Sequence, residues 1–405
     1  MSSLSRKIVL VCAEPSGDML ASRLIKELRE ADTDLEMCGI GGPLCQAQGL
    51  ESWFNMDELS VMGLVEVIKH LPRLLRIRKE LKQKILDFAP DLYIGVDAPD
   101  FNLPVAKFAK SHDIQTLHYV SPTIWAWREK RIHKIIASTH HVLGLFPFET
   151  SVYQKYQHPY TFVGHPMADE IPLEPNQQQA QASLGLINNH PVLALLPGSR
   201  ASEIKSMLPS FLATFELLKK QHPELKALIP AVNDVCFDQI QQMVASYPAQ
   251  DDINITRDDA RTVMIASDFV LLTSGTATLE AMLCKRPMLS AYKMSNLTYW
   301  MMRKLYKPKY FSLPNILAEQ ALFPELLQED VEPQRMASYI SAVLTKEDAA
   351  IDHTIQVEGS TMTEVSATAL KHQGEMFLTL HRALQQNASQ QAAKVALQML
   401  EQTCS

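Results

Sequence analysis

The segment Lys7-Ile-Val-Leu-Val-Cys-Ala-Glu-Pro-Ser-Gly-Asp18 sets the reading of the whole chain. After Lys7, residues 8 to 13 form an apolar run rich in β-branched side chains, the pattern of a strand buried on both faces of a parallel sheet. A turn of small and polar residues follows, then a helical pattern from about Asp18 to Glu30. The same alternation recurs downstream. Strands are expected over Leu35–Ile40, Leu92–Val96, Gln115–Val120 and His141–Leu145, with a helix near Phe101–Ser111. Strands spaced by helices build βαβ units and a parallel sheet covered on both faces.

From His165 to Pro191 the chain turns rich in Pro, Gln and Asn, as an inter-domain crossing would. The series then restarts with Val192–Leu196, a helix over Ser206–Lys220, and strands at Lys226–Ile229 and Phe269–Leu272. From Glu364 to Gln402 the pattern is Ala- and Gln-rich and helical. The spacing predicts an α/β protein of two Rossmann-like, doubly wound lobes, residues 1–168 and 169–362, with a helical tail at 363–405. A ligand cleft is expected between the lobes, because open parallel sheets bind ligands beyond the carboxyl ends of their strands.

Composition narrows the class. The 405 residues are 46% hydrophobic and 20% charged, which suits two packed cores and excludes disordered, collagen-like and disulfide-framework chains. The net charge of -7 argues against a general nucleic-acid binder. The longest apolar run, Ile8 to Ala13, is six residues, far short of the roughly 20 a membrane-spanning helix needs. With no signal-peptide pattern at the N-terminus, a cytoplasmic protein is expected. The six cysteines show neither C-x-x-C pairing nor zinc-ligand spacing, so they read as reduced, non-ligating thiols.

The strand ends carry the candidate chemistry. After the first strand, Ser16 and Gly17 can free backbone N–H groups for a ligand, or Ser16 or Asp18 can simply cap the helix. Neither this turn nor Gly39-Ile-Gly-Gly42 completes a dinucleotide fingerprint, and no Walker A sequence is present. After Val96 comes Asp97-Ala-Pro-Asp100. A carboxylate at the tip of a buried strand has its pKa raised by desolvation, as a general base requires. Equally, Asp97 can bond a neighbouring loop while Asp100 caps the next helix.

After Leu196, Gly198 allows close backbone approach, Ser199 follows, and the Arg200 fork matches phosphate geometry; a surface arginine at an ordinary turn is the plain alternative. Ser274, Gly275 and Thr276, at the start of another helix, suit a diphosphate, with Glu280 a turn further along placed to accept from a ribose diol. Short Ser/Thr/Gly helix starts also occur without ligands.

Two segments combine cations with apolar side chains. From Lys69 to Lys84 there are seven Lys or Arg against Glu80 alone. Leu64, Val67, Ile68, Leu71, Leu74 and Leu75 form a helical stripe, and Lys69, Arg73, Arg76 and Lys79 a cationic one, with Pro72 expected to bend the helix. Such a helix suits an anionic membrane surface or an ordinary solvated face. No acid occurs between Glu280 and Glu319, where Trp300 and Arg303 lie among other aromatics, methionines and cations. This second segment suits a lipid interface or a packed helix pair.

Taken in order, several motifs resemble the lipid-A-disaccharide synthase family. They are Ala13-Glu-Pro-Ser-Gly-Asp18, Val96-Asp-Ala-Pro-Asp-Phe-Asn102, His118-Tyr-Val-Ser-Pro122 with Trp125-Ala-Trp127-Arg128, and Gly164-His-Pro-Met-Ala-Asp169. Leu196-Pro-Gly-Ser-Arg200, Ser274-Gly-Thr276 with Glu280, and Ser312-Leu-Pro-Asn315 complete the set. Pro15 departs from the family, which more often carries Ala or Ser there, and leaves the role of the turn intact.

The resemblance implies a GT-B glycosyltransferase of lipid A biosynthesis, with the C-terminal helices of 363–405 packing back on the first lobe. It implies transfer from UDP-2,3-diacylglucosamine to 2,3-diacylglucosamine 1-phosphate (lipid X), without a metal cofactor. In that reading Asp97 is the general base and Arg200 steadies the leaving diphosphate. Ser16, Gly17, Gly198, Ser199, Ser274, Gly275, Thr276, Glu280 and Asn315 contact the UDP-sugar. Arg73, Arg76, Lys79, Trp125, Trp127, Trp300 and Arg303 face the acceptor or the membrane. The protein is then peripheral on the cytoplasmic face of the inner membrane of a Gram-negative-type bacterium, with room for a homodimer. A nucleotide-sugar epimerase would share the diphosphate site but not need the basic–apolar segments, and a membrane-recruiting binding module would not need Asp97.

Overall fold

The computed structural model describes residues 6–59, 64–186, 190–345, 363 and 365–403. The side chains of Leu64, Val67, Ile68 and Lys69 lie outside the described set. The chain divides into two compact units, Met1–Asp169 with Leu384–Ser405, and Glu170–Ala383.

The first unit is built on a parallel sheet of β1 (Lys7–Cys12), β2 (Glu36–Ile40), β3 (Glu51–Ser52), β4 (Leu92–Val96), β5 (Gln115–Tyr119), β6 (His141–Gly144) and β7 (Tyr160–Phe162). Their order is β3-β2-β1-β4-β5-β6-β7. The direction of winding reverses between β1 and β4, which makes their carboxyl ends the switch point where such sheets bind ligands. Cys12 pairs with Val96, so the turn after β1 and the turn after β4 start side by side.

Ile8 to Cys12 are fully buried because helices cover both faces. The helix Pro15–Ala31 buries Leu24, Ile25 and Leu28; the helix Leu64–Phe88 buries Ile77, Leu81 and Ile85, spaced four apart. Each such side chain contributes roughly 1.5–3 kcal/mol on burial. The last helix, Ala388–Thr403, packs against Pro15–Ala31 and turns Ala388, Ala392 and Ala396 inward, where small side chains permit close approach.

The second unit repeats the scheme with β8 (Val192–Leu196), β9 (Lys226–Pro230), β10 (Ile253–Thr256), β11 (Phe269–Thr273), β12 (Met288–Tyr292) and β13 (Glu325–Leu327). The order is β10-β9-β8-β11-β12-β13, all parallel. Here the switch point falls between β8 and β11, where Leu196 pairs with Leu272. The crossing read from His165 to Pro191 contains two short helices, Pro166–Glu170 and Gln177–Ser183. The tail expected to pack back on the first lobe is divided: Ala367–Leu384 falls in the second unit up to Ala383, and Ala388–Thr403 in the first.

Candidate active site

In the first unit the tip of β4 has a constrained backbone. Asp97 (φ +51°) and Ala98 (φ +40°) are consecutive non-glycine residues in the left-handed region, a conformation that costs of order 1–3 kcal/mol per residue and persists only where surroundings impose it. The surroundings here are specific. Asp97 N donates to Tyr119 O at 2.8 Å. The buried Asn102 amide donates to Asp97 O at 2.8 Å and to Val96 O and Val11 O at 3.3 Å each, while its oxygen accepts from Tyr93 Oη at 2.9 Å. All of the polar capacity of Asn102 therefore goes into holding the strand tip.

Burial pushes the Asp97 carboxyl above its usual range, only partly offset by the Ala98 N–H bonded to it. The result is a half-buried carboxylate poised to take a proton at a fixed position. Asp100 is exposed and pairs with Arg131, so it does not share that position.

The turn after β1 lies against this tip. Gly17 is buried where a Cβ would stand 3.3 Å from Cys12 Cβ and 3.7 Å from Val96 O, and Ser16 is exposed at the helix start. Asp18 does not cap its own helix, whose N-cap is Glu14. Its carboxylate accepts from Gly42 N, Leu44 N and Cys45 N at 2.9, 3.0 and 3.1 Å, capping the short helix Pro43–Ala47 from across the turn. Asp18 lies beside Cys12 and Cys45 at metal-ligand spacing, yet the carboxylate is taken up by amides. The Cys45 thiol donates to Asp18 O, and its hydrogen bonding with Cys12 and its burial hold it protonated, so the trio reads as internal packing.

In the second unit two turns meet at the β8/β11 switch point. Gly198 (φ +122°) bends the chain so closely over Glu203 that a Cβ would stand 2.5 Å from Glu203 Cβ. Glu203 accepts from Ser199 N at 3.2 Å and from Arg200 Nη1 at 3.0 Å, holding an arginine that is 57% exposed at the start of the helix Ala201–Gln221. After β11, Gly275 (φ +155°) is the N-cap of the helix Thr276–Leu283, and nothing lies within 4 Å of where its Cβ would be.

The first amides of any helix lack intrahelical acceptors and carry the positive end of its dipole, which suits an anion. Thr278 Oγ1 donates back to Gly275 O at 2.8 Å and fixes the loop. Ser274 precedes the cap and Thr276 is exposed beside it. Burial raises the Glu280 pKa against the opposing charge of Arg261, whose Nε bonds Glu280 Oε1 at 3.3 Å.

The structure thus groups Gly198, Ser199 and Arg200 with Ser274–Thr276 in one unit, and Ser16 and Gly17 with Asp97 in the other. Asn315 joins neither group. It is fully buried, donates to Phe323 O and Glu325 Oε1, and accepts from Leu322 N. Among the residues expected at the acceptor or membrane, Arg303 lines one cavity together with Ser274. Arg73 pairs with Glu58 at 2.9 Å, Arg76 with Glu80 at 3.8 Å, and Lys79 is exposed. The ring of Trp125 meets Phe148 edge-on at 4.7 Å, and Arg128 stacks 3.8 Å over Trp127. Trp300 is 56% exposed on the helix Asn296–Leu305, where Arg303 is exposed as well.

Within the apolar stripe Leu71 and Leu75 are 43% and 50% exposed, and the helix runs unbroken through Pro72. His118 is fully buried with its pKa pushed down to about 4, and His165 is also driven to about 4 by burial. Burial thus favours the neutral form of both imidazoles.

Comparison with known proteins now bears on these groups. The model of the lipid-A-disaccharide synthetase family matches residues 8–377. A lipid-A-disaccharide synthase from Alteromonas mediterranea is 46% identical over 397 residues, 97% of this chain and 98% of that protein. One from Haemophilus influenzae (strain PittEE) is 43% identical over 403 residues, 100% and 99% of the two chains.

The chain belongs to the lipid-A-disaccharide synthetase family.

It is accordingly a glycosyltransferase of lipid A biosynthesis. Among solved structures, a UDP-GlcNAc 2-epimerase from Neisseria meningitidis bound to UDP-GlcNAc superposes with a TM-score of 0.60 at 12% identity, covering 98% of this chain and 100% of that one. The glycosyltransferase of kitacinnamycin gives 0.60 at 12% identity, covering 97% and 98%. These establish the GT-B architecture of two parallel-sheet α/β units. Epimerase and transferase share it, so the fold alone does not distinguish their chemistry.

Proposed function

We propose that this synthetase transfers 2,3-diacylglucosamine from its UDP derivative to the 6-hydroxyl of 2,3-diacylglucosamine 1-phosphate, releasing UDP and forming a β-1,6 linkage. The observation that carries the mechanism is the Asp97 carboxylate, held by Asn102 on a left-handed backbone with its pKa raised by burial. Asp97 takes the proton of the acceptor hydroxyl as that oxygen attacks the anomeric carbon. One in-line displacement inverts the centre, and the bond to the diphosphate breaks with its electron pair on the leaving oxygen.

Negative charge grows on the diphosphate as the bond breaks. Donors already aimed at that charge stabilise the transition state. Arg200 and the amides of the Ser274–Thr276 turn fill this role, with Glu280 on the ribose. A fixed cation and a helix dipole do the work that a divalent ion does in other transferases, so the reaction is proposed to need no metal.

The membrane association of the enzyme is part of the same proposal. Both substrates carry acyl chains, and the helix Leu64–Phe88 offers exposed Leu71 and Leu75 beside Arg76 and Lys79. Apolar anchors next to cations suit the anionic inner-membrane surface. Mass-spectrometric product analysis with both substrates, with and without EDTA, tests the reading. Disaccharide 1-phosphate and UDP in equal amounts, unchanged by chelator, are expected; epimerised UDP-sugar without disaccharide, or loss of turnover in EDTA, would refute it.

A further inference from the structure

Beside the proposed diphosphate turn lies a cavity of about 620 Å³ in the second unit. Ser274, the residue before the Gly275 cap, lines one part of it, so the cavity and the turn are continuous. The charges of Arg200 and Glu203 act on the hydroxyl of Tyr292, another lining residue, which ties the cavity to the neighbouring turn as well. Its walls are mostly carbon: Met294, Met302, Tyr306, Phe311 and Leu327. Tyr306 Oη donates to Tyr310 O at 2.9 Å, leaving the ring as an apolar face. Arg303 and Lys309 add two cations to this lining.

The walls are fixed from behind. Gln328 clamps Met294 by accepting from its N–H at 2.7 Å and donating to its carbonyl at 3.0 Å. Buried Glu325 accepts from Phe311 N at 3.1 Å, Ser312 N at 2.9 Å and Asn315 Nδ2 at 3.0 Å, pinning the segment that carries Tyr306–Phe311. Asn315 therefore acts on this cavity through Glu325.

We propose that this cavity holds a fatty acyl chain of the sugar-nucleotide donor. The proposal rests on the function assigned above and goes beyond it in placing the acyl chain. At about 30 Å³ per heavy atom, the share of liquid volume a water takes, the space accommodates roughly 20 such atoms, more than a medium-length acyl chain needs. A donor whose diphosphate sits on the Ser274–Thr276 turn has its glucosamine next to that turn, and an ester or amide on the sugar can direct its chain past Ser274. The acceptor has no diphosphate to bring it there. Burial of a methylene is worth about 0.8 kcal/mol, so each one removed from a seated chain should lower donor affinity about fourfold.

The test compares two donors, UDP-glucosamine carrying tetradecanoyl chains and the same molecule with butyryl chains, against Met302→Trp. The milder Met294→Phe stands in if the tryptophan variant does not fold. Wild type is expected to favour the long-chain donor in kcat/KM by at least tenfold. Filling the cavity should raise KM for that donor at least tenfold while leaving the butyryl donor within twofold. Unchanged chain discrimination with butyryl transfer intact would overturn the acyl site and leave the transferase standing; so would a shift confined to acceptor chain length. Failure of the wild type to transfer from either donor would overturn the function and this inference together.

Discussion

At the scale of single residues, Asn102 is where stability and chemistry meet. Its side chain satisfies Tyr93 Oη and three backbone carbonyls at once, all in the buried sheet end. Asn102→Ala removes those bonds and leaves the buried Tyr93 hydroxyl without its acceptor, at about 1–3 kcal/mol, so thermal melting should show a lower midpoint. Asn102→Asp keeps an acceptor for Tyr93 but loses the donors to Asp97 O. It should lower kcat while leaving donor KM unchanged; a rise in donor KM alone would contradict a positioning role. The motif Val96–Asn102 is visible in the sequence, but nothing in one chain says which of its polar members points inward. Asp18 shows the same limit: its spacing from β1 reads as a helix cap, whereas its three bonds reach Pro43–Ala47, a partner set only by tertiary folding.

The Asp97 pKa gives a second expectation at this scale. Folding raises it, so the group's favourable contribution to stability is present below the unfolded-state pKa near 3.9 and is lost as pH rises through the folded value. At neutral pH the ionised carboxylate is a cost. Asp97→Asn should therefore match or exceed the wild type in melting temperature at pH 7, as strained functional groups often do when removed. Activity runs the opposite way. The base must be ionised, so kcat should fall on acidification with a midpoint above an ordinary aspartate's. An acidic limb at or below pH 3.8 would mean that a different group limits the rate.

Among the elements, the strands buried on both faces were the legible ones. Leu92–Val96 and Val192–Leu196 match their expected bounds, because a run without polar residues has few other homes. β3, β7 and β13 are two or three residues long, too short for a periodicity. β12 (Met288–Tyr292) lies in a cation- and aromatic-rich stretch that reads as a lipid-facing segment. The helix Leu64–Phe88 shows why a stripe is not an orientation: Ile77, Leu81 and Ile85 face the core, while Leu71 and Leu75 face outward. Those exposed leucines and the cations beside them make a membrane test specific. Charge reversal at Arg73, Arg76 and Lys79 should weaken sedimentation with anionic liposomes by at least about 1 kcal/mol per site near the surface, less at Arg73, which Glu58 already neutralises. Binding that does not change would remove this helix as the anchor.

For the whole molecule, one topology appears twice, and the reversal of strand order in each unit explains why the candidate chemistry falls at β1/β4 and at β8/β11. That much follows from alternating strands and helices. The sharing of the tail between units does not, since Ala-rich helices carry no signal for which sheet they cover. The division of labour also sets what each substitution should do. Arg200→Ala removes a cation from the leaving group in the second unit and should lower kcat by about 10²–10³, the usual cost of a lost charge-stabilising donor. Asp97→Asn removes the proposed base in the first unit, and the proposed UDP-binding turn should not register it.

The most direct measurement pairs single-turnover disaccharide formation with UDP binding by calorimetry, in wild type and Asp97→Asn. A rate lowered by about 10²–10⁴ with UDP affinity unchanged is the predicted result, the range for loss of general-base catalysis. A variant that forms disaccharide at the wild-type rate would show that Asp97 is not the base.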